Sequence, residues 1–195
     1  SRLSLFSDYP SLESAHGVRQ GIATGNDSRF TLRPFEVAHV DILVATIDEP
    51  DSTSARWAPL IMGAGGLAWQ EPLTNLIRWQ SGGLEKRVNS EFHGSRGGNG
   101  TPSARLYFRR GVAFSTMGQT FSARVHRFSS IFGVKGCSVF PASIADCVCL
   151  LNSALSKAIL QDLNPGMDFT NGDVKRLPLI EVRSGEDIHR LIHSA

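Results

Sequence analysis

Residues 105–140, RLYFRRGVAFSTMGQTFSARVHRFSSIFGVKGCSVF, decide the fold class. Apolar and polar side chains alternate there in short runs at 106–108, 112–115, 121–125, 130–132 and 138–140. A two-residue period sends successive side chains to opposite faces of a strand, so this spacing predicts a meander of antiparallel strands. Just beyond it the period changes. Ile144, Val148, Leu151, Leu155 and Ile159 recur at steps of three and four, which predicts one amphipathic helix of about five turns. Ser143 and Asp146 are placed to form its capping box, and Asn164-Pro165-Gly166 ends it.

Working outward, 36–47 is rich in Val, Ile and Thr and reads as a strand, with a polar loop over 48–54. Segments 57–62 and 76–80 are further strand candidates, 94–102 is a loop, and 185–194 begins a terminal helix. The expected class is α+β: a mainly antiparallel β domain over residues 1–180 with a buttressing C-terminal helix. Residues 181–195 would be the start of a terminal helix or a linker.

The chain has 195 residues, 41% of them hydrophobic and 19% charged, which excludes wholesale disorder. Its longest apolar runs, 42–47 and 147–151, are far too short to cross a membrane. Residues 1–10 show neither the basic start nor the apolar stretch of a signal peptide. Three cysteines (Cys137, Cys147, Cys149) without CxxC spacing argue against a disulfide framework or zinc finger and fit a cytoplasmic setting. The chain opens on Ser rather than Met, which fits an excised piece of a longer protein.

The formal net charge of +2 conceals a strong asymmetry. Residues 86–145 carry nine cations (Lys86, Arg87, Arg96, Arg105, Arg109, Arg110, Arg124, Arg127, Lys135) against the single acid Glu91, a local charge of +8; the remainder is −6. Arginine dominates, and its planar fork suits phosphate and guanine edges better than lysine does. Phe92, Tyr107, Phe108, Phe114, Phe121, Phe128 and Phe132 are interleaved with these cations. Contact with nucleic acid and a solvated basic face beside core aromatics both fit this pattern.

A search for catalytic chemistry finds little. Gly63-Ala64-Gly65-Gly66-Leu67-Ala68 matches the letters of a dinucleotide fingerprint, yet Pro72 and Asn75 interrupt any following helix, so a turn is expected. No phosphate-binding loop or nucleophile elbow occurs. Asp51 with Asp173 and Lys175 is the nearest approach to a metal-dependent nuclease set, and the two aspartates are far apart in sequence. His189 and His193 lie one helical turn apart without a third ligand; His16, His39, His93 and His126 are scattered. Cys147 and Cys149 read as packing residues.

Three segments together resemble a known family. Residues 21–30 (GIATGNDSRF) followed by Pro34-Phe35-Glu36-Val37 resemble its G-x-x-T-G-x-N/D-x-x-F … W/F-E-V opening. Gly111-Val112-Ala113-Phe114-Ser115 leading to Phe121-Ser122-Ala123-Arg124 is similar to its G-[IV]-x-[WF]-S … FSAR stretch. Leu150-Leu151-Asn152-Ser153, Leu163-Asn164-Pro165 and Gly172-Asp173-Val174 through Leu177-Pro178-Leu179 are similar to its LLNS … LNP … GD[IV] … [IL]P ending. The family is that of target recognition domains in Type IIG restriction–modification enzymes and related adenine-specific DNA methyltransferases, including those of BREX phage-defence systems. The resemblance runs from about Gly21 to Leu179, with the motifs in family order.

What the resemblance implies is the specificity part of such an enzyme. Its Asn-Pro-Pro-Tyr/Phe motif and S-adenosylmethionine loop are absent from this chain, so no cofactor is expected here. S-adenosylmethionine would belong to a catalytic methyltransferase domain elsewhere in the parent protein. The implied partners are double-stranded DNA and that methyltransferase domain, in a bacterial or archaeal cytoplasm, with no membrane. Among the arginines and lysines of 86–135 as phosphate anchors, Arg105, Arg109, Arg110 and Arg124 are candidates to reach base edges, with Arg96 and Arg127 beside them. Thr24, Asn26, Asp27 and Arg29 would form a polar loop near the DNA or the catalytic domain, and Ser115 and Ser122 would add hydrogen bonds. Two other classes stay open: a free-standing nuclease domain, and a protein-interaction module whose basic face is incidental.

Overall fold

Two small sheets, rich in antiparallel pairs, share the interior of the protein with a set of helices that covers one of them. The computed structural model describes residues 4–43, 55–92 and 103–194. In chain order these form α1 (Leu5–Asp8), α2 (Leu12–Ala15), β1 (Val18–Arg19), α3 (Asp27–Phe30), β2 (Thr31–Leu32), β3 (Trp57–Ile61), β4 (Trp69–Gln70) and β5 (Leu76–Arg78). There follow α4 (Gln80–Phe92), β6 (Val112–Phe114), β7 (Ala123–Val125), β8 (Ile131–Phe132), β9 (Ser138–Val139), α5 (Ile144–Asn152), α6 (Ala154–Leu163), α7 (Asn171–Arg176) and α8 (Gly185–Ser194).

The first sheet has the order β1-β9-β6-β7-β4, antiparallel except for the parallel β7–β4 edge. The second has the order β2-β5-β3-β8, with β3–β8 parallel. The alternation in 112–125 explains how the layers stack. Val112, Phe114 and Ala123 face a core built with Val148, Leu151, Ile159 and Leu160 of the helices. Ala113 points the other way, into a second core with Ile61, Ile77, Ile131 and Phe132 of the second sheet. Successive residues of one strand thus serve both cores, as a period of two requires.

Three expectations change. The five-turn helix is two helices, α5 and α6, bent by 59° at Ser153. Ser153 closes α5 with its backbone N–H and caps α6 with its hydroxyl, which accepts from the Ser156 N–H; a serine offers the backbone this alternative to an unbroken helix. Segment 36–47 is not a strand where it is described. Pro34–Glu36 and His39–Asp41 are 3-10 turns, the Glu36 carboxylate accepting the Arg33 N–H at 2.5 Å; residues 44–47 lie outside the described part. The 106–108 run is likewise not a strand: Leu106 ends the 3-10 turn Ala104–Leu106, and Tyr107 and Phe108 continue as a turn, Phe108 at φ 62°.

Other expectations meet their elements directly. Ser143 caps α5 by accepting the Asp146 N–H. Asn164 closes α6. The 63–66 glycine stretch is a turn that leads into β4 rather than into a helix. Cys137, Cys147 and Cys149 are buried and unbridged, burial lifting the thiols of Cys137 and Cys147 to about 11 and about 12. Among the described residues no single helix is long and apolar enough to cross a membrane.

Candidate nucleic-acid interface

The three motif segments converge on scaffold geometry. In the second motif, Arg124 points between the two sheets and is fully buried. Its Nε donates to Glu71 Oε2 at 2.5 Å, Nη1 to Ser115 Oγ at 2.8 Å, and Nη2 to the Met62 carbonyl at 3.1 Å. Ser115 Oγ also accepts the Ala64 N–H at 3.3 Å. Arg124 therefore ties the first sheet to the loop after β3. Burial lifts the Glu71 carboxyl above its ordinary value, with the Arg124 guanidinium opposing the lift. A charge so enclosed stays ionised only with its partner and hydrogen bonds in place.

The FSAR and LLNS segments meet directly. Asn152 accepts the Ala123 N–H and donates to the Ala123 carbonyl, both at 2.9 Å, a two-point clasp between α5 and β7. Ser122 is buried beside it. In the third segment Asp173 accepts from Thr170 Oγ1 and from Arg176 Nη2, each at 2.7 Å. Burial raises its carboxyl, and these hydrogen bonds outweigh that and hold it below the usual aspartate range. Lys175 turns instead to Glu13, at 3.5 Å. Asp173 and Lys175 thus bond to different partners within the framework around α7; Asp51 lies outside the described residues.

The first segment forms a self-bonded loop. Thr24 donates its hydroxyl to the Asp27 carboxylate. Asn26 caps α3 by accepting the Arg29 N–H. Arg29 binds Glu85 at 3.0 Å and Asn89 at 3.1 Å, joining α3 to α4. The glycine that begins the motif has a steric reason: a Cβ on Gly21 would lie 1.7 Å from the Phe132 carbonyl oxygen. This loop borders a groove of about 560 Å³ that also takes in Arg33, Glu36, Leu67, Asn75 and Lys135. A smaller hollow of about 300 Å³, lined by Thr24, Asp27 and Lys135, adjoins it.

Five exposed arginines gather at the other end of the strands. Arg109 and Arg110 precede β6, and Arg127 follows β7; the register Val112↔Val125 places these two chain segments side by side. Arg105 stands on the 3-10 turn leading into the cluster. The same end receives Arg56 at the start of β3, because the Trp79 N–H donates to the Arg56 carbonyl at 2.9 Å and the Trp79 ring lies edge-on to Tyr107 and Phe108. Arg56, Arg105, Arg109, Arg110 and Arg127 are all exposed. Arg127 sits over the Phe128 ring, 5.3 Å from its centroid. The stretches that form this rim, 55–58, 103–111 and 126–130, contain no acidic residue.

The candidate residues therefore separate into three groups. Arg105, Arg109, Arg110 and Arg127 form the rim. Thr24, Asn26, Asp27 and Arg29 lie at the groove end. Arg124, Ser115 and Ser122 are interior, so their assignment to a DNA surface is corrected: the two-residue period that carries Ala123 into one core carries Arg124 into the space between the sheets. Lys86 is also buried, bonded to Ser90 at 2.7 Å. Arg96 and His93 lie outside the described residues, as do the side chains of His189 and His193. Sequence reasoning missed Arg56, which stands 30 positions before the basic segment and reaches it only through β3. Among the described residues no group of three or more metal-ligating side chains assembles.

Comparison with known proteins adds a second line. Distant relatives exist among adenine-specific methyltransferases. The chain is 27% identical over 177 residues to "Adenine-specific methyltransferase PglX" of Lacticaseibacillus casei (strain Zhang), covering 89% of this chain and 15% of that protein. It is 22% identical over 170 residues to "Adenine-specific methyltransferase BrxX" of Escherichia coli O9:H4 (strain HS), covering 84% of this chain and 13% of that protein. The chain thus spans a small fraction of the length of the curated relatives it matches. No protein-family model matches it.

Proposed function

We propose that this chain recognises double-stranded DNA as the target recognition part of an adenine-specific DNA methyltransferase of the restriction or phage-defence kind. S-adenosylmethionine and the methyl-transfer chemistry would then belong to a different part of a larger protein. The observation that carries the reading is the rim of Arg56, Arg105, Arg109, Arg110 and Arg127, brought to one end of the sheets by three separate stretches of chain (55–58, 103–111 and 126–130) whose own sequences contain no acidic residue. Arginines placed this way engage phosphates, and a subset can fork onto guanine edges in the major groove. The relationship to adenine-specific methyltransferases supports the same partner. An adenine inside a duplex must leave the stack before it can be methylated, so such an enzyme needs a firm grip on flanking DNA.

Fluorescence anisotropy on a duplex of randomised sequence, across a salt series, tests this. With four or more phosphates engaged, log affinity falls against log salt with a slope steeper than about −3.6. Combined charge reversal, Arg109→Glu with Arg110→Glu, should weaken binding at least tenfold and flatten that slope by about 0.9 for each phosphate no longer engaged. A salt-independent response overturns the reading.

A further inference from the structure

We propose that His126 is the positioning residue of the arginine rim, fixing the backbone from which Arg109, Arg110 and Arg127 reach the sugar–phosphate chain; this rests on the DNA reading above. His126 lies beneath the rim and holds its backbone at two points, once through the ring and once through its own main-chain N–H. His126 Nδ1 is 3.0 Å from the Arg109 carbonyl oxygen, and the His126 N–H donates to the Gly111 carbonyl at 3.0 Å. The two contacts bracket Arg110, and Arg127 is the next residue along the chain.

The chemistry of the partners sets the tautomer. A carbonyl only accepts, so Nδ1 carries the proton, and the bare Nε2 accepts the Ser138 hydroxyl at 3.0 Å. Burial, seconded by the nearby Arg124 charge, pulls the imidazole down to about 4 while the Arg109 carbonyl pulls the other way, so the ring is neutral at ordinary pH. Phe140 stands edge-on at 5.8 Å and Phe132 lies tilted at 36°, 6.4 Å away between ring centroids, so that the two flank the imidazole.

The loop itself has no slack. A Cβ on Gly111 would lie 2.9 Å from the Val139 carbonyl oxygen and 3.0 Å from His126 Cε1, so the chain passes there only as glycine. One step before Arg109, Phe108 occupies the left-handed region at φ 62°, its N–H donating to the Ser130 carbonyl at 2.8 Å. A bulky residue persists in that conformation only where the surroundings over-determine it. Residues 108–111 are thus pinned at three of four positions, and His126 supplies two of the pins. Fixing the origins of three long side chains lowers the ordering cost when they bind.

The test uses the 195-residue chain with His126→Phe, His126→Gln and Ser138→Ala. Phenylalanine fills the ring's space without either side-chain hydrogen bond; glutamine keeps an N–H for the Arg109 carbonyl. Each variant is melted, titrated with the randomised duplex over the salt series at a temperature where it is folded, and digested briefly with trypsin with the cuts mapped. His126→Phe should bind roughly tenfold more weakly, with a shallower salt slope and faster cutting after Arg109 and Arg110. Ser138→Ala should shift all three in the same direction by less, and His126→Gln should recover part of the loss. If the phenylalanine variant does not fold, Ser138→Ala decides. Folded variants with wild-type affinity, slope and cutting rates overturn the role of His126 alone. Absence of salt-dependent binding by the wild type overturns the DNA reading itself.

Discussion

Arg124 and Arg127 stand three residues apart on one stretch of chain and end in opposite environments. Arg124 is enclosed between two sheets with Glu71, Ser115 and the Met62 carbonyl as partners. Arg127, beyond the end of β7, is exposed and rests on Phe128. The same side-chain chemistry is therefore a strut in one place and a contact surface in the other. The difference teaches that the nine cations of 86–145 overstate the rim. Lys86 and Arg124 belong to the interior, and Lys135 belongs to the groove at the other end of β8. Arg56, from outside that segment, joins the rim instead.

The sharpest way to break this contrast is to delete the strut. Arg124→Ala leaves Glu71 buried without its partner, and urea unfolding should show a loss of about 3–5 kcal/mol. Replacing both partners by apolar residues, Arg124→Met with Glu71→Leu, should recover most of it. If Arg124→Ala costs no more than the Arg127→Ala variant, the interior role assigned to Arg124 is wrong.

Acid titration probes the joint between strut and rim. His126 is held at about 4 in the folded protein against 6.5 for an ordinary histidine. The unfolded chain therefore takes up its proton first, so stability is full above pH 6.5 and is lost progressively as pH falls toward 4. That component amounts to about 3 kcal/mol. Denaturation midpoints measured from pH 7.5 to 4 should show it, and His126→Phe should lack it; parallel curves for the two proteins would contradict the buried, neutral ring.

The smallest effect is expected at the groove end. Lys135→Glu reverses a charge beside Asp27 and Glu36 rather than beside the rim. Stability should change by less than about 0.5 kcal/mol, and duplex affinity should change far less than in the Arg109/Arg110 reversal. An equal loss of affinity in both would extend the DNA surface across the whole molecule and erase the distinction between its ends.

Much of the fold was legible because its signals are local. The two-residue period of 112–125 and the capping serine at 143 each depend on neighbours in sequence. Failures came where a distant partner settled the outcome. The stripe Ile144 to Ile159 reads as one helix, but Asn152 is held by Ala123 across the core and Ser153 caps in both directions, so the rod bends. The 36–47 stretch has strand composition, but over its described part it meets β3 only at the single Ile42–Trp57 bridge, and Pro34 with Glu36 closes its start into turns. At the candidate site, composition identified Arg105, Arg109, Arg110 and Arg127 as basic but had no means of separating them from Arg124. His126 carries no sequence signal, because its value lies in two carbonyls and a hydroxyl brought from 109, 111 and 138.

The sequence by itself determined the alternation of the strands, the start of α5 and the end of α6, and the presence of an arginine-rich, acid-poor segment, since these follow from residue type and spacing along the chain. Tertiary structure alone decided which arginines face water. A strand shows its two faces by period, but what lies against each face depends on the layer packed there. Here that layer is a second sheet, which takes Arg124 into an ion pair and leaves Arg127 beyond its edge.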